Sequence, residues 1–110
     1  IRDYIHVMDL AEAHLNALIF LKESSYKYLG LNIGTGKGTS VLEILKIFQE
    51  VNKVKINFKF SPRRIGDAGI VYADTSLAKN LLNWRASRSL EDMCRDSWNW
   101  HLKFPGGYTF

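Results

Sequence analysis

The chain has 110 residues, 46% apolar and 24% charged, the size and composition of one globular folding unit, which excludes a repeat array. Its single cysteine, Cys94, excludes an intrachain disulfide framework and CxxC metal or redox motifs, and makes a reducing cytoplasm the default compartment. The longest apolar run, Leu15 to Leu21, is interrupted by Asn16 and falls short of the about 18 residues that cross a bilayer; the net charge of +4 is spread among interspersed acids and bases, so it does not by itself point to a nucleic-acid partner.

The chain opens at Ile1, without a methionine or a leader, in sequence that already reads as ordered structure, which is expected of a piece whose natural chain began earlier. Tyr4 to Val7 is a short β-prone run. Asp9, with Glu12 three residues on, has capping-box spacing, and a helix is expected from about Leu10 to Lys22 with Leu10, Ala13, Ala17, Leu18 and Leu21 on its core stripe. Tyr28 to Ile33 reads as a buried strand that breaks at Gly34-Thr35-Gly36-Lys37-Gly38. Ser40 then caps a second helix, Glu43 completing a capping box and Val41, Ile44, Leu45, Phe48 and Val51 forming its apolar face. Lys55 to Phe60 alternates strictly between charged or polar and apolar residues, as a half-exposed strand does.

Ser61 to Asp67 is a loop, since Pro62 lacks a donor and extends Ser61 while Gly66 permits a turn. Ile70 to Tyr72 is a further short strand. Asp74 caps a helix carrying Leu77, Ala78, Leu81 and Leu82, ended by Asn83-Trp84. Ser89 opens the last helix, with Leu90, Met93, Cys94, Trp98 and Leu102 facing inward, and Pro105-Gly106-Gly107 stops it. The order is β-α-β-α-β-β-α-α, a small mixed α/β domain spanning residues 1–110 without repeat or linker. Its strands are too short to make a sheet of their own, so they are expected to border one built by residues before Ile1.

Three clusters invite a chemical reading. The glycine-rich 34–38 turn sits between strand and helix, where bare amides attract anions, but it matches neither G-x-G-x-x-G nor a Walker loop, and a structural turn is the expected reading. Arg63-Arg64-Ile65-Gly66-Asp67 carries guanidinium forks that suit phosphate oxygens, with a carboxylate able to accept from two vicinal ribose hydroxyls; a solvated loop with internal ion pairs is equally open. Arg2-Asp3 offers another phosphate contact or a surface ion pair.

His6, His14 and His101 lack metal-ligand spacing, so no metal is assigned. Trp84, Trp98 and Trp100 fit core packing better than base stacking, because no basic residues interleave with them. A tyrosine with a lysine four residues on, which would put an ammonium one helical turn from the phenol, is absent. The residues four beyond Tyr4, Tyr26, Tyr28 and Tyr72 are Met8, Gly30, Asn32 and Ser76, and Tyr108 has two residues after it.

Taken together, Arg2 to Ala11, Asn32 to Gly36, Ser40 to Glu43, Pro62 to Asp67, Tyr72-Ala73-Asp74 and Pro105-Gly106-Gly107-Tyr108 resemble the UDP-glucose 4-epimerases of the extended short-chain dehydrogenase/reductase family, in their carboxy-terminal part. The resemblance implies a small substrate-binding domain lacking its Rossmann partner, which would bind NAD and supply the catalytic Tyr and Lys. By resemblance Arg2 and Arg64 contact the diphosphate of UDP-glucose or UDP-galactose, Asp67 the uridine ribose, and Val71 stands beside the sugar. A residue this small there suggests acceptance of N-acetylated UDP-hexoses.

The complete enzyme would interconvert its substrates through a 4-keto sugar, NAD taking and returning the hydride, while this portion contributes grip and orientation. The chain alone is expected to be inactive, and the whole enzyme to be a cytoplasmic homodimer with no membrane or nucleic-acid partner. Two alternatives stay open: a fragment of a related UDP-sugar decarboxylase or dehydratase, against which the Arg63 to Asp67 loop argues, and a non-catalytic nucleotide-sugar or nucleic-acid binding module.

Overall fold

The first turn of a helix leaves amide groups without partners, and the side chains that take them up decide where each helix of this protein begins. The computed structural model describes residues 1–108. Helix α1 runs Val7–Glu23, starting before the expected Asp9 cap. His6 is the N-cap instead, its Nδ1 accepting the Met8 N–H at 3.0 Å. An Nδ1 that accepts leaves the proton on Nε2, which faces Asp96 Oδ2 at 3.1 Å. Asp9, relieved of capping, is buried with 0% exposure.

Helix α2, Val41–Asn52, has the expected reciprocal box, Ser40 Oγ accepting from Glu43 N and Glu43 accepting from Ser40 N. It closes on Lys53 in the left-handed region, φ 55°. Helix α3, Ser76–Leu82, has Thr75 at its N-cap, while Asp74 Oδ1 takes the Ser76 N–H at 3.0 Å. Helix α4, Leu90–Lys103, opens with a second capping box, between Ser89 and Asp92.

The helices pair α2 on α4 and α1 on α3. Alanines at the α1/α3 contact, Ala13 and Ala78, let the two backbones approach, and Leu82 and Trp84 complete that core with Ile5, Phe20 and Leu31 half-buried around it. On the other pair Cys94 is buried, Phe48 meets Trp98 edge to face at 5.8 Å, and Asn52 Nδ2 donates to the Cys94 carbonyl at 3.1 Å.

Two expectations are corrected here. No strand forms among the described residues: Tyr4–Val7 runs into α1 at Val7, Tyr28–Ile33, Lys55–Phe60 and Ile70–Tyr72 are irregular segments, and the sole pairing is one antiparallel bridge between Arg2 and Thr39. A strand exists only through its ladder, and these segments do not lie side by side. Tyr28, Phe58 and Phe60, placed for a sheet, stand 88%, 56% and 81% exposed.

Part of the expected core is also outside: Leu18, Leu21 and Leu102 are exposed. With α3 the main helix against it, α1 covers one narrow seam. A radius of gyration of 16.9 Å, against roughly 13 Å for a compact domain of this length, is the same fact seen globally. No helix among the described residues is long and apolar enough to cross a membrane.

Candidate functional site

Arg2 is pinned by its backbone, which exchanges hydrogen bonds with Thr39 at 2.9 and 2.8 Å. Neighbouring side chains on extended backbone point to opposite faces, so Arg2 and Asp3, expected as a surface pair, part company. Arg2 Nη1 donates to the carbonyls of Ile1 and Ala68, each at 2.8 Å, and its Nη2 binds Asp67 Oδ1.

The 63–67 loop folds back on the same carboxylate. Gly66 adopts φ 81°, a value glycine takes without strain, and Asp67 N donates to the Arg64 carbonyl at 3.3 Å. Arg64 Nη2 lies 3.5 Å from Asp67 Oδ2, and Arg63 Nη2 donates to the Asp67 carbonyl at 3.0 Å. Arg2, Arg64 and Asp67, 65 residues apart at the extremes, thus share one open groove with Tyr4, Val41 and Arg63.

Exposure separates their roles. The Arg64 side chain is 86% exposed and Arg2 37%, so both can reach a ligand, whereas Asp67 at 31% is the hub that holds them. Two guanidinium groups are thus held by one carboxylate, and planar forks of this kind match phosphate and carboxylate oxygens in geometry. Val71 lies outside this groove, in an adjoining one that shares the Arg2 wall and includes Asp3 and Tyr72; its N–H donates to the Ile1 carbonyl at 3.0 Å.

The glycine-rich turn is not a free anion cradle. The amides of Thr35 and Gly36 both donate to the Asp3 carboxylate at 2.9 Å, the Thr35 hydroxyl donates to it as well, and Ala73 N joins at 3.2 Å. A Cβ at Gly34 would come within 2.5 Å of Asp3 Oδ2 and 2.9 Å of Ala73 Cβ. Burial pushes the Asp3 pKa up, and the hydrogen bonds from Thr35, Ala73 and Gly36 more than offset it, so the carboxyl ends below its ordinary value. The sequence offered Asp3 only as half of a pair with Arg2; its bonds to Thr35, Gly36 and Ala73 join positions that no spacing links.

Two further features went unread. Asp9 accepts from the Ser87 and Arg88 amides at 3.2 and 3.0 Å and pairs with Arg88 Nη1 at 2.6 Å, while Arg88 Nη2 reaches Glu12 at 2.9 Å. A large apolar groove, lined by Ile5, Met8, Phe48, Met93 and Trp100 with His6 and Asp96 at its edge, separates the start of α1 from α2 and α4; it lacks the fixed cations an anionic ligand needs. The histidines do not converge, and no group of three or more His, Cys, Asp or Glu side chains able to hold a metal occurs among the described residues.

No protein-family model matches the chain. It is 51% identical over 109 residues to UDP-glucose 4-epimerase 4 of Oryza sativa subsp. japonica, covering 99% of this chain and 30% of that protein. Against the UDP-glucose 4-epimerase of Erwinia amylovora it is 49% identical over 107 residues, 97% of this chain and 32% of the relative. Among solved structures, the UDP-glucose 4-epimerase of Stenotrophomonas maltophila with bound NAD and formylated UDP-arabinopyranose superposes with a TM-score of 0.88 at 46% identity, over 94% of this chain and 30% of that one.

That of Brucella ovis in complex with NAD gives 0.77 at 39%, over 86% and 29%. The likeness to UDP-glucose 4-epimerases therefore extends from the motifs to nearly the whole chain and its backbone, and the chain spans about a third of the length of those relatives.

Proposed function

We propose that this chain is the carboxy-terminal, nucleotide-sugar-gripping portion of a UDP-glucose 4-epimerase, and that Arg2, Arg64 and Asp67 form its uridine-diphosphate site. The observation that carries this reading is the convergence of three residues, from both ends of the 2–67 span, on one groove, in a chain about half identical to 4-epimerases over 97–99% of its own length.

In this reading Arg64, largely exposed, closes on one phosphate and Arg2 on the other, each as a two-pronged donor. The Asp67 carboxylate holds both forks near their working positions before a ligand arrives and then accepts from the ribose hydroxyls. That preorganisation lowers the ordering cost of binding. The handle is held firmly while the hexose lies toward Val71 and Tyr72, both half exposed, in the adjoining groove. A short Val71 leaves space there for an N-acetyl group.

NAD belongs, on this reading, to the part of the enzyme outside this chain. The residues present do not fit it: the amides of the glycine-rich turn already serve Asp3, and no Tyr-x-x-x-Lys pair is available. The chain alone accordingly binds without turning over. The segments 28–33, 55–60 and 70–72 belong in a sheet shared with the Rossmann domain, which would restore the mixed α/β architecture and cover the exposed α1 face. A cytoplasmic, homodimeric enzyme is the setting this implies.

The experiment is calorimetric titration of UDP into the protein and its Arg64→Ala and Asp67→Ala variants. Each variant should weaken binding at least about tenfold, the loss of a charge-assisted contact of about 1.5–3 kcal/mol. Binding that ignores both substitutions sinks the assignment.

A further inference from the structure

The carboxylate nearest the proposed grip, and outside it, is Asp3. It accepts from the Thr35 amide and hydroxyl and from the Gly36 and Ala73 amides. These donors come from two segments otherwise unconnected in sequence, the turn before α2 and the stretch before α3. Both continue into the walls of the site: Thr39, four residues beyond Thr35, is the backbone partner of Arg2, and Val71, two residues before Ala73, bonds the Ile1 carbonyl.

The packing leaves no slack, since even a methyl group at Gly34 would overlap the carboxylate and Ala73. Among the described residues no hydrogen bond or ion pair joins Asp3 to Arg63, Arg64 or Asp67. Its neighbour Arg2, by contrast, is the only one of the pair that meets Asp67.

Resting on the reading of Arg2 as a diphosphate contact, we infer that Asp3 is a positioning residue for the nucleotide grip: its carboxylate draws the 34–36 turn and the 71–73 segment around the backbone that carries Arg2, and so fixes where that guanidinium points. Several donors converging on one ionised acceptor in a partly buried place make a rigid joint, because releasing any one of them costs its full desolvation. Asparagine at this position would set an amide N–H₂ against donors.

The test is a double-mutant cycle on UDP affinity, using Asp3→Asn, Arg2→Ala and the combination. Asp3→Asn should weaken UDP binding about tenfold in the parent and less than twofold once Arg2 is gone, whereas a general loosening of the domain would weaken both alike and overturn the inference. The milder Thr35→Val, which removes one hydroxyl donor, should give a smaller loss with the same dependence on Arg2.

Amide hydrogen exchange supplies a readout independent of nucleotide. Asp3→Asn should speed exchange at Thr35, Gly36 and Ala73; unchanged protection there refutes the joint whatever UDP does. Faster exchange in a protein that binds no UDP would instead leave the joint standing and sink the nucleotide reading on which its function rests.

Discussion

Replacing Asp9 by alanine should be among the more destabilising single changes in this protein. The side chain is fully buried, 0% exposed, and its two oxygens satisfy the Ser87 and Arg88 amides and the Arg88 guanidinium, the last at 2.6 Å. Together these bonds staple the loop before α4 to the first turn of α1. Breaking a buried ion pair by deleting one partner costs about 3–5 kcal/mol. Arg88 is 32% exposed and can turn to water or to Glu12, which places the expected loss near the lower end, about 3 kcal/mol. Against a total stability of about 5–15 kcal/mol for a domain, and about 4–8 °C per kcal/mol at this size, the melting temperature should fall by roughly 12–24 °C.

Urea unfolding followed by tryptophan fluorescence at neutral pH measures it, with Glu12→Ala as the control. Glu12 is 49% exposed and a rim pair of this kind contributes about 1 kcal/mol or less. If Asp9→Ala costs no more than Glu12→Ala, the reasoning from burial and bonding at this position is refuted.

Acid should unfold the protein through the same kind of groups. Asp3, Asp9 and Asp92 all have folded pKa values below the ordinary one: for Asp3 and Asp9 burial acts upward and is outweighed by hydrogen bonds, and for Asp92 the bonds with Ser89 hold it at about 2. A depressed folded value means stability that is present above the unfolded pKa of about 3.9 and is lost as pH falls through the folded values. The urea midpoint should therefore be insensitive to these groups from pH 5 to 7 and drop steeply between about 4 and 2; a midpoint that is flat across that lower window contradicts the assignment. In a complete enzyme containing this chain, Val71→Tyr should lower activity on N-acetylated UDP-hexoses relative to UDP-glucose, and an unchanged ratio of the two would dismiss Val71 as the sugar-side determinant.

Helix positions were legible because their causes are local. Ser40 with Glu43 is a capping box in sequence and in space, and the Arg63 to Asp67 loop, read from the chemistry of its side chains, does gather around one carboxylate. The misreadings share a cause too. Asp9-x-x-Glu12 has capping-box spacing, yet His6 caps α1, because Arg88, 79 residues away in sequence, claims the Asp9 carboxylate. The Lys55 to Phe60 alternation records a strand's pleat, but a strand also needs a neighbour, and none lies beside it here.

What the sequence determined by itself, then, is everything carried within a turn of helix or a short loop: the four helices to within a turn at their starts, the side-chain chemistry of the Arg63 to Asp67 loop, and a likeness to UDP-glucose 4-epimerases. Only the tertiary structure decided which distant groups meet: that Arg2 belongs with Asp67 and not with Asp3, and that Asp3 closes the glycine-rich turn on itself. The physical reason is range. Capping and turn chemistry are set by bonds between residues a few positions apart, whereas the direction of a guanidinium is set by backbone pairing across the chain, which no spacing in a linear sequence records.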